Sequence, residues 1–200
     1  MGVGNVRGKQ DRRAELLAIA GRLFAERGFA TTTVREIADA AGILSGSLYH
    51  HFDSKESMVD EILRGFLDRL RAAYDRVLAE ETDPRAALTA LITVSFESMD
   101  TDGDAIAIFQ NEAAYLSQFE RFGYFEGVTA ELEGCWLGVL ERGQRDGVFR
   151  ADLRVPLVYR FIRDTVWVAV RWYDPKGALG AEEIAAQYLT ILCQGIVAQR

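Results

Sequence analysis

Apolar residues along this chain recur every three to four positions, the period of an α-helix that buries one face. Between Asp11 and Arg27 they are Leu16, Ile19, Ala20, Leu23 and Phe24, after which Gly28 stops the helix and Phe29 is placed to close over a glycine cap. Thr33-Val34-Arg35-Glu36 has the spacing of a capping box, followed by a short amphipathic helix to Ala41. Gly42 ends that helix, a second short one is expected from Ser45 to His51, and Asp53 or Ser54 caps the next. That next helix reads from Lys55 to about Glu80, with Val59, Ile62, Leu63, Phe66, Leu67, Leu70, Tyr74 and Val77 on its apolar side.

The same period continues to the end. "TDP" at 82–84 starts a helix running to about Met99, with Pro84 suited to its first turn. "DTDGD" is expected as a turn, followed by helices near 104–118 and 122–143, a loop at "RDGVFRADL", and helices near 154–173 and 180–198 divided by "DPKG". No segment keeps a two-residue period. The pattern therefore predicts an all-α protein of about nine helices.

Composition narrows the class. Two hundred residues, 49% of them hydrophobic and only 3 of them Pro, suit one ordinary core. No apolar run reaches the ~18 residues that suggest a membrane span, and the start has neither a secretory pattern nor a myristoylation pattern, so a cytoplasmic protein is expected. Cys135 and Cys193 lie far apart in helical patterns and read as reduced core residues. The net charge of −7 hides an asymmetry: residues 1–56 carry eight Lys/Arg against seven Asp/Glu, whereas the remainder is strongly acidic. A basic tip at Arg7, Lys9, Arg12 and Arg13 is where this acidic body would meet a polyanion.

The two short helices joined at "AAGILS" form a helix-turn-helix, whose second helix suits the DNA major groove. Thr33, Ser45, Ser47, Tyr49, His50 and Lys55 supply donors for bases and phosphates. Each taken alone also reads as a cap or a solvated loop residue; their joint spacing favours DNA. Ser47 precedes His51 by four positions, yet no oriented base, oxyanion site or nucleotide motif accompanies them, so no enzyme is expected. No metal site or cofactor is expected either, because two adjacent histidines without further ligands do not make one.

The stretch "FAERGFATTTVREIADAAGILSGSLYHHFDSKESM", residues 24–58, resembles the DNA-binding domain of TetR-family transcriptional repressors. The resemblance implies a helix-turn-helix domain over 1–54 with a basic arm, and a ligand-binding and dimerisation domain over 55–200. It implies phosphate contacts from Thr33 and Lys55, base approach by Ser45 and Ser47, close backbone approach at Gly46, and a backbone grip by Tyr49 and His50. Leu44 departs from the pattern, standing where relatives usually carry the Ser that caps the recognition helix.

One apolar segment carries unexpected charge. "YRFIRDTVWVAVRWY", residues 159–173, holds Arg160, Arg163 and Arg171 among aromatics and valines. Steps of four put Arg163, Trp167 and Arg171 on one stripe. Arg160 has Asp164 and Arg171 has Asp174 within helical reach, whereas Arg163 has no such neighbour at those spacings. It therefore either bridges to another helix or subunit, through Glu112, Glu131 or Glu133, or meets an anionic ligand with a flat apolar body.

Within the TetR family this segment, "GILSGSLYHHF" and "SKESMVDEILRGFLDRL" resemble the KstR-type ketosteroid regulators of actinobacteria. That resemblance implies an inducer that is a coenzyme A thioester of a steroid-degradation intermediate, and gives Arg163, Trp167 and Arg171 as ligand-binding; a repressor sensing a different hydrophobic or fatty acyl ligand, or an acyl-CoA-handling enzyme, is the alternative. Phe66, Phe109, Gln110, Tyr115, Phe125 and Trp136 are further candidates for the pocket, with core packing as their ordinary alternative. Ile184, Tyr188, Ile191, Leu192 and Gly195 in the last helix point to a homodimer built by the last two helices as a four-helix bundle, which would set two reading helices on a palindromic operator.

Overall fold

The computed structural model describes the backbone of residues 3–196 and the side chains of residues 11–195. Eight α-helices run in the order α1 (Val3–Arg27), α2 (Val34–Ala40), α3 (Ser45–Leu48), α4 (Lys55–Glu80), α5 (Pro84–Leu116), α6 (Phe125–Arg145), α7 (Val155–Val168) and α8 (Ala181–Ile196). Single 3-10 turns cover Glu120–Phe122 and Ala169–Arg171. No strand occurs among the described residues.

Local chemistry accounts for most of the boundaries. Gly28 adopts φ 89°, a left-handed conformation that a β-carbon disfavours, and its N–H bonds the Phe24 carbonyl at 2.9 Å. Thr33 caps α2 with both halves of the capping box present: its hydroxyl accepts the Glu36 N–H at 3.2 Å and the Glu36 carboxylate accepts the Thr33 N–H at 2.8 Å. This holds the Glu36 carboxyl below its ordinary range, through the Thr33 backbone bond first and the Thr33 hydroxyl next. Ser54, not Asp53, caps α4, and Asp83 caps α5 by accepting the Ala86 N–H at 2.8 Å.

Two helices expected separately are continuous. The expected turn at "DTDGD" is instead a kink inside α5, where Asp102 alone leaves helical geometry at φ −122°, ψ 16°. Its carboxylate is buried and bonded by Arg69 of α4 and by the Thr101 hydroxyl, so a tertiary ion pair sits at the bend where the local sequence suggests a break. Eight helices therefore replace the nine read from the pattern. The segment expected as one helix over 154–173 leaves α-geometry after Val168 and tightens into the 3-10 turn. The recognition helix is also shorter than expected, with turns rather than helix over 49–51.

One apolar core runs from α1 to α8. α4 and α5 form its spine: α5 packs against α1, α4, α6, α7 and α8, and α1 lies across both α4 and α5. The helices before residue 54 thus pack directly on α4 and α5 of the region that follows. Tyr74, fully buried, shares a hydrogen bond of 2.6 Å with Ser95 between α4 and α5, and burial pushes its hydroxyl well above the usual tyrosine range.

Candidate functional site

α1, α2 and α3 form the helix-turn-helix unit, held by Leu16, Phe24, Ile37, Leu48 and Phe52 in the core. Leu48 is the one buried side chain of α3, which leaves Ser45, Gly46, Tyr49 and His50 on its outer side. Tyr49 and His50 are exposed, and nothing lies within 4 Å of the position a Gly46 β-carbon would take. Leu44 occupies the cap position in extended geometry and makes no side-chain capping bond. A hydroxyl or carboxamide there would add about 1 kcal/mol to the helix start.

Two residues expected to meet phosphate are engaged within the protein. The Lys55 ammonium donates to the carbonyls of Phe29 at 2.8 Å, Thr32 at 3.1 Å and Ala30 at 3.4 Å, and lies 4.4 Å from the Phe29 ring centre. It staples the loop after α1 to the start of α4, and all three of its protons have partners. Thr33 serves as the α2 cap while remaining exposed. The basic tip is likewise partly structural. Arg12 reaches Glu15 and the Ala41 carbonyl, and Arg13 grips Glu61, the His51 carbonyl and the Phe52 ring. The Arg7 and Lys9 side chains lie outside the described residues. His51 turns inward, with its Nδ1 buried and unpartnered.

A cavity of about 270 Å³ opens among four helices of the larger region. Each contributes residues one helical turn apart: Phe66, Leu70 and Tyr74 from α4; Ile106, Phe109 and Gln110 from α5; Thr129, Leu132, Glu133 and Trp136 from α6; Tyr159, Arg163, Asp164 and Trp167 from α7. Its floor is aromatic, with Tyr74 and Trp136 edge to face at 5.6 Å and Phe66 and Trp167 at 6.2 Å. Its rim is polar, formed by exposed Gln110, Arg163 and Asp164 with half-buried Glu133. Burial, and then the Glu133 charge, push the Tyr159 hydroxyl up to about 12, so it stays protonated at neutral pH.

Six of the nine residues singled out for ligand contact line this cavity: Phe66, Phe109, Gln110, Trp136, Arg163 and Trp167. Three do not. Arg171 sits in the 3-10 turn, where the tightened backbone rotates it off the stripe, and it reaches Asn111 at 3.4 Å instead of Asp174. Tyr115 stacks near Phe29 at the reader end of α5, and Phe125 packs behind Phe109 at 5.2 Å.

The charge pairing on α7 also differs from the sequence reading. Asp164 bonds its neighbour Arg163 at 2.8 Å from Nε, rather than Arg160. Asp164, Glu133 and Tyr159 were missed as cavity residues. The stripe Tyr159-Arg163-Trp167, extended one turn backward rather than forward, was the signal for Tyr159. Glu131 pairs with Arg71 at 3.6 Å, and Glu112 accepts the Phe29 N–H at 3.2 Å, so neither serves Arg163. Among the described residues no cluster of His, Cys, Asp and Glu is arranged to hold a metal ion, and no helix is long and apolar enough to cross a membrane.

Comparison with known proteins agrees with this arrangement. Residues 16–62 match the family of bacterial regulatory proteins of the tetR type, and residues 81–196 match the tetracyclin repressor-like C-terminal domain. The chain is 57% identical over 189 residues to the HTH-type transcriptional repressor KstR2 of Rhodococcus jostii, covering 94% of this chain and 93% of that one. It is 52% identical over 185 residues to KstR2 of Mycobacterium tuberculosis, covering 92% of each. The solved structure of the ketosteroid transcriptional regulator KstR2 of Mycobacterium tuberculosis superposes with a TM-score of 0.92 at 51% identity, covering 94% of this chain and 96% of that one. These matches describe a repressor that binds operator DNA through its helix-turn-helix domain, and not an enzyme. The chain belongs to the TetR family of transcriptional regulators, as a repressor of the KstR2 type.

Proposed function

We propose that the chain acts as a homodimer released from a palindromic operator when a coenzyme A thioester of a steroid-degradation intermediate enters the α4–α7 cavity. The observation that carries this reading is the cavity itself, an aromatic floor beneath a rim bearing Arg163. A fused-ring hydrocarbon suits the floor, whereas a carboxylate or phosphate suits a guanidinium. Asp164 engages the Nε edge of Arg163, and a guanidinium carries five N–H donors, so donors remain for a ligand anion. A volume of about 270 Å³ has room for a ring system and not for a whole coenzyme A thioester. The nucleotide end passes the rim and lies outside.

The dimer reading rests on exposed apolar side chains along α7 and just after it. Leu157, Phe161, Val168 and Trp172 are spaced by four, seven and four residues and stand 39–62% exposed, with Ile191 of α8 at 72%. A stripe of that kind supports a contact between copies. Within α8, Ile184, Tyr188 and Leu192 turn partly toward the chain's own core, Tyr188 meeting Phe96 at 6.0 Å, so Ile191 carries most of that helix's outer apolar surface. With two copies paired there, the reading helices form a two-fold pair.

Communication runs along two continuous helices. α4 lines the cavity at Phe66, Leu70 and Tyr74 and anchors the reader at Lys55; α5 lines it at Phe109 and Gln110 and holds the reader at Glu112. A ligand that favours one tilt of these helices changes the separation of the reading heads, by no more than its differential affinity for the two states. The reading is tested by thermal shift against matched pairs of polycyclic CoA thioesters and their free acids. The thioesters should stabilise the protein in proportion to their affinity. Stabilisation by simple fatty acyl-CoA alone, or by none of the panel, contradicts the assigned ligand class.

A further inference from the structure

The outward face of α3 has a narrow chemical repertoire. Bases are distinguished in the major groove by Arg or Lys on guanine, Asn or Gln on adenine, a carboxylate on cytosine, and an apolar side chain on the thymine methyl. Residues 44–51 read Leu-Ser-Gly-Ser-Leu-Tyr-His-His and contain no Arg, Lys, Asn, Gln, Asp or Glu. The bidentate contacts and the cytosine contact are therefore unavailable from this element. Hydroxyls at Ser45 and Ser47 both donate and accept, so they discriminate weakly.

Leu44 stands out from this set. At 80% exposure it is the most exposed large apolar side chain among the described residues. A lone exposed leucine on a surface ordinarily needs no explanation. This one holds the cap position of the recognition helix, where a hydroxyl would satisfy a backbone N–H, and it makes no capping bond. It joins Tyr49, itself 57% exposed, on the same element, and no side chain obstructs approach over Gly46. The face is continuous with the operator-binding surface of the helix-turn-helix.

We infer that Leu44 is a base-reading residue, contacting the 5-methyl group of a thymine in each operator half-site. The contact exchanges exposed apolar surface on both partners for burial. Removal of one buried methyl-sized group corresponds to about fourfold in affinity per half-site. The inference depends on operator binding by the reader and is independent of which ligand fills the cavity.

The experiment uses the full-length protein. Duplexes are first selected from a randomised pool, and each thymine of the selected site is then replaced singly by uracil, which deletes only the methyl. Affinities are measured for the wild type, Leu44→Ala and Leu44→Ser, the last restoring a capping hydroxyl. At one thymine and its symmetry mate, the wild type should lose about fourfold on uracil, and both variants should show no loss there. Wild-type affinities that are equal across all the uracil duplexes overturn the inference, as does a Leu44→Ala variant that keeps the full uracil sensitivity at that thymine. Equal wild-type affinities overturn the inference without any variant, and should one variant fail to fold the other supplies the comparison at that thymine.

Discussion

Removing the Glu112 carboxylate should weaken the coupling between the cavity and the reader while leaving the cavity lining itself unchanged. Glu112 accepts the Phe29 N–H at 3.2 Å, while Lys55 holds the Phe29 carbonyl at 2.8 Å, so helices α5 and α4 grip the two sides of one residue in the reader loop. Phe29 is 1% exposed, and a β-carbon on the preceding Gly28 would lie 3.0 Å from the Glu112 carboxylate. The cap glycine thus also makes room for this contact. A hydrogen bond to a charged group contributes about 1.5–3 kcal/mol, and the partial exposure of Glu112 favours the lower end. In Glu112→Ala the factor by which a ligand weakens operator binding should fall roughly tenfold, since about 1.4 kcal/mol corresponds to a decade. Glu112→Gln, which keeps an uncharged acceptor, should lose less.

The assay is fluorescence anisotropy of a labelled operator with and without saturating ligand, beside calorimetric titration of ligand alone. Ligand affinity measured without DNA should be unchanged, because Glu112 lies off the cavity. Amide exchange at Phe29 should accelerate. Full coupling in Glu112→Ala, with Phe29 exchange as slow as in the wild type, would refute the reasoning.

Other expectations follow from the same geometry. Arg163→Ala should remove the ligand response and leave operator affinity intact, as measured by anisotropy; equal loss of both would make the Arg163–Asp164 pair structural. Tyr74→Phe should cost about 1 kcal/mol in urea unfolding, because the Ser95 hydroxyl still bonds the Leu91 carbonyl once its partner is gone. The Glu36 carboxyl titrates below its ordinary range in the folded chain, so its stabilisation is complete above that range and is lost as pH falls from there through the lowered folded-state value. Wild-type stability should therefore drop more steeply from about pH 5 to about pH 3 than that of Glu36→Gln, followed by urea midpoints.

What the sequence made legible was what short-range physics decides. The Gly28 stop, the Thr33–Glu36 box and the Pro84 start all depend on groups within four residues of one another, and each stands where the pattern puts it. The α5 kink was not legible, because the buried Asp102 at the bend is paired with Arg69, thirty-three residues away, and no local pattern encodes that contact. Helical spacing placed Phe66, Gln110, Trp136 and Trp167 on inner faces but gave no register along the bundle axis. Tyr115 therefore fell at the reader end and Phe125 behind the cavity wall. Arg171 was lost from the stripe because four-residue steps assume an α-helix, and the backbone tightens at Ala169. Lys55 carries the charge a phosphate would want, yet the loop carbonyls that occupy it are a tertiary arrangement that no local pattern encodes.

The central claim is that filling the α4–α7 cavity makes the helix-turn-helix domains release DNA. It is met most directly by titrating a polycyclic CoA thioester into the preformed complex of this protein with a selected operator duplex and following anisotropy to saturation. The account predicts that operator affinity falls as the thioester is added, and that the fall is absent in Arg163→Ala. An operator affinity unchanged at saturating ligand, with binding of that ligand confirmed by calorimetry, would contradict it.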